Sequence, residues 1–437
     1  MWPWLRIVLL AIVFSGVMRI SGQAQASVPL NTATQYFREA EAICRSDLAK
    51  LWGISLCGPM LFVDPTTRSV VANQADREGI LKRQGSVFVG VLPKEVNTAN
   101  TATKWAGVYW TEILWPLPNQ AESRRRLIAH ELYHRIQDQV VKVSQSESGN
   151  SHLDTLEGRY LLQLEWNALA KALQAISPEE RDSAARDALL FRARRYQLFS
   201  SANRDESSLE LNEGLAEYTG VVLANASPDE QIQAALHDIE THRGDPTFVR
   251  SFAYATGPAY GLLLDRMRPQ WRKDIRSGET LDGLMRESLN FTPPANLGTM
   301  IQDRAKLYQG PQLRASEEDR EQKRSAVIAR YHAALVEGAT LTIPFSHMQV
   351  QFDPRNLLPL GQEGTVYPAI RISDDWGVLE AKEGALMKKD WSAVVITAPS
   401  ATAGTHITGN GWDLEVKSGW KLAAGTRKGD FTLVPAN

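Results

Sequence analysis

The spacing of apolar positions changes twice along the chain. Between Ser27 and Pro118 apolar residues fall in short runs rich in β-branched and aromatic side chains. Met60–Val63, Ser69–Ala72, Val87–Leu92 and Gly107–Leu114 read as strands, beside one short helix around Gln35–Leu51. From Gln120 to about Gly338 the spacing is helical. Asn119, with Glu122 three positions on, has the form of a capping box behind Pro116 and Pro118, so a helix should start near Gln120. An apolar stripe runs through His152–Ile176, Ser177-Pro178-Glu179-Glu180 is a helix start with proline in the first turn, and Leu209–Leu223 follows a polar break. Ser316–Val336 is charged and reads as a long solvated helix closing this region. Beyond Ala339, the runs Met348–Phe352, Val366–Ile372, Trp376–Ala381, Ala393–Thr397, Trp412–Val416 and Phe431–Val434 alternate with Gly, Asn, Asp and Pro turns. They predict an all-β module, a small sandwich or barrel.

The expected fold class is therefore α+β, in three parts: a mixed N-terminal region over residues 27–118, a helical region over 119–340 and a β module over 341–437. The run GVYWTEIL before the first long helix can be read two ways, as a sheet edge to which an extended peptide adds a strand, or as an ordinary core strand. The β module is a candidate surface for a partner whose nature the sequence does not specify.

The first 26 residues have the form of an export signal: Arg6, an apolar run from Ile7 to Met18, then Ala24-Gln25-Ala26 as a cleavage site before Ser27. The run is too short to span a bilayer comfortably; the alternative is an uncleaved anchor with Trp2 and Trp4 at the interface. A secreted or periplasmic protein without a stable membrane span is expected. In such a compartment Cys44 and Cys57 should form a disulfide that braces the region near Trp52, two free buried thiols being the alternative. Charge is balanced at 48 basic against 50 acidic residues, which gives nucleic-acid binding no electrostatic basis. The triplet Arg124-Arg125-Arg126 reads as a solvated flank.

Within the first long helix stands His130-Glu131-Leu132-Tyr133-His134. Histidines four apart share one helical face and can offer two imidazole nitrogens to one metal, while the glutamate between them lies toward the open coordination position as a general base. Leu127, His130, His134, Gln137 and Val141 share a face, so both histidines should point inward. The plain alternative is a buried helix whose histidines bond to neighbouring carbonyls. For a third ligand, Glu213 is the first candidate, on a face of small residues with Ala216 and Gly220, and Glu217 one turn on could fix the tautomer of a ligating histidine. Glu165, in the stripe of Leu161, Ala168, Leu169 and Ala172, is the rival; it needs a buried partner, either zinc or an arginine. Glu157 and Asp154 are lesser candidates, and His152, His237, His242 and His347 lack ligand spacing.

HELYH with NEGLAEY downstream resembles the gluzincin clan of zinc metallopeptidases, which includes thermolysin-like and aminopeptidase N-like enzymes. The resemblance implies a zincin-like catalytic unit, Zn2+ held by His130, His134 and Glu213, Glu131 as catalytic base and Glu217 as a supporting carboxylate. It also implies a tyrosine or histidine that donates to the tetrahedral intermediate. Tyr254 and Tyr260, set around a Gly257-Pro258 turn, are the candidates. The gap between His134 and Glu213 is longer than in the best-known members, and the Gly-x-Met-Glu-Asn segment of aminopeptidase N-like enzymes is absent, with Glu112 in different surroundings. An endopeptidase acting on peptide or protein substrates is thus favoured over an aminopeptidase. Two rival readings are a peptidase-like protein that binds a peptide or cell-envelope partner without turnover, and a scaffold with structural zinc.

Overall fold

The computed structural model describes residues 28–93, 96, 98–141, 149–276, 278–352 and 357–436. The expected export signal lies outside the described residues. The fold is mixed α and β, with strands at the N-terminal end, helices in the middle and an all-β region at the C-terminal end. Two compact units divide at Glu317 and Glu318, within the helix Gly310–His332. Among the described residues no helix is long and apolar enough to cross a membrane.

The first unit begins with helix α1 (Leu30–Asp47) and a six-stranded sheet. Its strands are β1 (Met60–Val63), β2 (Ser69–Ala72), β3 (Lys82–Gln84), β4 (Val87–Val91), β5 (Thr101–Trp105) and β6 (Val108–Leu114), in the order β3-β4-β2-β1-β6-β5. Alternation assigns the two faces: Met60, Phe62 and Ile113 join the main helical core, while Leu61, Val63 and Trp110 form a second apolar cluster. β6 pairs parallel with β1 and antiparallel with β5, so GVYWTEIL is an interior strand and the edges of the sheet are β5 and β3. Cys44 and Cys57 form the expected disulfide, Cα atoms 5.2 Å apart. Nearby, Trp52 packs its ring on Tyr133 and Trp271 and donates its indole N–H to Thr219.

Helix α2 (Ala121–Val140) follows β6. The capping box expected at Asn119 and Glu122 is not made: Gln120 is the N-cap, without a side-chain bond, and Arg124 Nη1 donates to the carbonyl oxygens of Pro118 and Asn119. Next come α3 (Leu156–Gln174), α4 (Pro178–Leu198) and α5 (Ala202–Leu209). Ser177 caps α4 as its sequence predicts, accepting from Glu180 N with Pro178 in the first turn. A π turn, Glu210–Gly214, joins α5 to α6 (Leu215–Ala224), then α7 (Pro228–Arg243) and α8 (Phe252–Met267) complete the surround of the site.

Under the π turn lies a buried charge network. Arg192 donates to Glu165 and to both oxygens of Glu210; Arg195 donates to Glu165 and to both oxygens of Glu206. Burial works against the ionised Glu206 carboxyl, but Arg195 outweighs it and holds the group down at about 2. A carboxylate depressed from its usual 4.5 contributes stability that is present above pH 4.5 and lost as pH falls toward 2. Urea unfolding at stepped pH should therefore show stability declining across that window, with a smaller decline in Glu206→Gln.

The second unit carries a seven-stranded and a six-stranded sheet. Leu341, Ile343 and Ile396 from the first and Ile372, Leu379 and Leu414 from the second meet in one apolar cluster, the arrangement of a β-sandwich. The end of the long helix lies on the outer face of the seven-stranded sheet, where Tyr331 and Leu335 pack with Val366, Leu386 and Val395.

Candidate metal centre

His130 and His134 lie one turn apart on α2, and their Nε2 atoms come within 3.1 Å of each other. Glu213, from the π turn, brings Oε2 to 3.5 Å from His130 Nε2 and 3.6 Å from His134 Nε2. Ligand atoms about 2.0–2.1 Å from a tetrahedral ion are separated by roughly 3.3–3.4 Å, so this triangle has the size of three vertices around one zinc. Among the described residues these are the one group of histidine, cysteine and carboxylate side chains that converges in this way.

The outer ring nitrogens decide what the inner ones present. His130 Nδ1 lies 2.6 Å from Glu217 Oε2, and His134 Nδ1 lies 2.7 Å from Gln137 Oε1, whose amide nitrogen in turn donates to Asn212. Both partners accept, so each Nδ1 carries the proton and each Nε2 turns a lone pair inward. Three acceptor atoms thus face one another. A shared cation satisfies all three, which is the fit expected of a metal site. Protons do so less well: burial opposes charge on His130 and His134, yet bonds to Glu213 push both above the usual histidine range, while Glu213 is driven well below its own.

Glu131 stands beside the cluster and is not one of its vertices. It is 3 % exposed, and its Oε2 has no hydrogen-bond partner among the described residues. Burial pushes this carboxyl up, against the pull of His130 and His134. Glu112, on β6, is also buried; it accepts from Ala99 N, and burial pushes it up to about 8, with Glu131 adding to the rise.

The two tyrosines separate. The Tyr254 hydroxyl donates to Glu213 Oε2 at 2.7 Å, and its ring lies parallel to that of His130 with centroids 5.7 Å apart. Tyr260 instead donates to Glu165 in the buried charge network. Gly257-Pro258 is not a turn, as the sequence suggested, but lies inside α8. On a continuous helix positions six apart point roughly 120° away from each other, so only one of the pair can face the cluster. Glu165 is likewise held by Arg192, Arg195 and Tyr260, which supplies the arginine partner its apolar stripe demanded. Glu157 pairs with Arg314, and Asp154 accepts from Thr247 and Phe248 N. His152 bonds to Glu206, His242 to Asp245 and His347 to Asp375; His237 is 3.4 Å from Thr241.

The arginine triplet is not a solvated flank. Arg124 pairs with Glu39 and lies over the Tyr36 ring, Arg125 donates to Leu223 O, and Arg126 bonds to Glu217 and Asp238. Arg126, Asp238, Asn212 and Arg250, which donates to Glu213 Oε1 at 3.3 Å, are the site residues that sequence reasoning missed. For Arg126 one signal was present: it sits four residues before His130, on the same helical face.

Glycines let the pieces meet. A Cβ on Gly220 would come 3.0 Å from Arg126 O, and one on Gly257 would come 2.3 Å from Gly214 Cα and O, so α6 touches α2 and α8 touches the π turn backbone to backbone. Gly257→Ala should force α8 away from the π turn, costing roughly 1–3 kcal/mol and separating Tyr254 from Glu213. Denaturant unfolding and zinc titration of that variant should show both losses.

Comparison with known protein families, curated proteins and solved structures finds no match.

Proposed function

We propose that this chain is an exported zinc-dependent peptidase of gluzincin type, with His130, His134 and Glu213 as metal ligands and Glu131 as general base. The observation that carries the reading is the convergence of three acceptor atoms at 3.1–3.6 Å beside a buried carboxylate oxygen with no hydrogen-bond partner among the described residues. HELYH and NEGLAEY, similar to gluzincin motifs, support it, and the disulfide agrees with an oxidising compartment.

Zinc held there supplies Lewis acidity, which polarises a carbonyl and acidifies water. Glu131, raised by burial toward the working range of a base, takes the proton from the attacking water at its free oxygen and returns it to the leaving amine. Glu217 and Gln137 hold the two imidazoles in one tautomer and orientation. Tyr254 orients Glu213 and is the hydroxyl at the cluster that can donate to the oxygen on which charge develops. Tyr254→Phe should accordingly lower kcat by roughly 10²-fold with a much smaller change in KM. Steady-state kinetics on one peptide substrate measure this, and an effect on KM alone would remove Tyr254 from the transition state.

The reading is tested by incubating the zinc-loaded mature chain with a peptide library and sequencing the products by mass spectrometry. Internal cleavage that stops on chelation and returns with zinc is expected. Intact peptides in the presence of bound zinc would favour a protein that binds peptides without turnover.

A further inference from the structure

We infer that Arg126 and Asp238 are positioning residues that raise the metal affinity of the cluster by clamping Glu217 against His130. The inference rests on the metal-site reading above and adds to it a chain of four groups, with His130, Glu217 and Asp238 buried and Arg126 half-buried between the two carboxylates. Arg126 Nε donates to Glu217 Oε1 at 2.5 Å, its Nη2 bonds to Asp238 Oδ2, and the other oxygen of Glu217 faces His130 Nδ1 at 2.6 Å. The three side chains of the clamp are 18 %, 12 % and 9 % exposed, so solvent screens these contacts little.

Geometry explains why an arginine is needed. Glu217 reaches the ring of His130 from α6, and Asp238 comes from α7, so no single helix fixes the carboxylate. A planar guanidinium with several donors joins both carboxylates at once, which a lysine ammonium does as a point charge without the fork. Gly220 brings the α6 backbone against Arg126 O, and that close approach keeps the ion pair short. With Oε1 held by Arg126, Glu217 cannot rotate away from Nδ1, and the Nε2 lone pair of His130 stays aimed at the other two acceptors. His134 is served differently, by the neutral amides of Gln137 and Asn212. One ligand histidine thus has charged support and the other uncharged support.

The experiment is zinc competition against a chromophoric chelator for metal-stripped wild type, Arg126→Met, Arg126→Lys, Asp238→Asn and Glu217→Gln, with circular dichroism and thermal unfolding of each stripped protein as the fold control. Removal of groups that orient a metal ligand lowers affinity by about 10–100-fold, and Arg126→Met and Glu217→Gln should fall in that range. Arg126→Lys should recover part of the loss, and Asp238→Asn should lose less than Arg126→Met; a purely structural role would move unfolding temperature without this graded order. If Arg126→Met does not fold, Glu217→Gln and Asp238→Asn carry the test. Wild-type zinc affinity in the folded variants overturns the clamp and leaves the metal site standing. Failure of wild type itself to bind zinc overturns both.

Discussion

Glu131→Gln should bind zinc as wild type does and turn over peptides roughly 10²–10⁴-fold more slowly, the range for loss of a positioned general base. The amide keeps the shape and burial of the side chain, and the ligand triangle of His130, His134 and Glu213 does not include it. What changes is the ability of one oxygen to accept a proton. Among the described residues that oxygen has no hydrogen-bond partner, an expensive condition for a buried carboxylate. Kinetics on a cleaved peptide, with metal content measured on the same samples, check the result. Wild-type turnover would take Glu131 out of the mechanism.

Glu213→Ala should lower zinc affinity by more than about 100-fold, beyond the range seen when only a supporting group is lost. It removes one vertex of the triangle and also strips Tyr254 and Arg250 of their shared acceptor. Arg250 is 60 % exposed at its side chain and can return to water, so the loss should register in metal binding more than in folding. Glu165→Ala is the matched control and should behave in the opposite way. Its carboxylate joins Arg192 and Arg195, both essentially fully buried, and its removal leaves their charges short of a partner, at a cost of roughly 3–5 kcal/mol. Zinc titration and denaturant unfolding of the two variants separate the roles. Loss of zinc from Glu165→Ala with retention by Glu213→Ala would move the third ligand to Glu165.

Much of this site was legible in the sequence because its signals are local. His130 and His134 are one turn apart, as are Glu213 and Glu217, and helical periodicity alone puts each pair on one face. Strands such as Ser69–Ala72, Ala393–Thr397 and Trp412–Val416 were legible for the same reason, since runs of β-branched or alternating apolar residues have few other uses. Lys82–Gln84 was not: all its side chains are exposed, and it is a strand only because β4 lies beside it. Tertiary partners were equally hidden. Arg126 meets Glu217 and Asp238 across 91 and 112 residues of chain, so three consecutive arginines looked like a solvated flank. The Gly257-Pro258 pair has turn composition, yet the surrounding helix absorbs it because Gly257 is needed for contact with Gly214. The rise of the π turn beneath Glu213 left no sequence signal, and π turns of this kind recur where a helix must re-aim a functional side chain.

Three side chains converge in the proposed site to hold one metal ion, and equilibrium zinc titration of the metal-stripped chain against a competing chelator tests this most directly. One equivalent bound per chain, lost in His130→Ala and in His134→Ala while the helical signal persists, is the predicted result. No binding by the folded wild type, or binding undiminished in both variants, would contradict it.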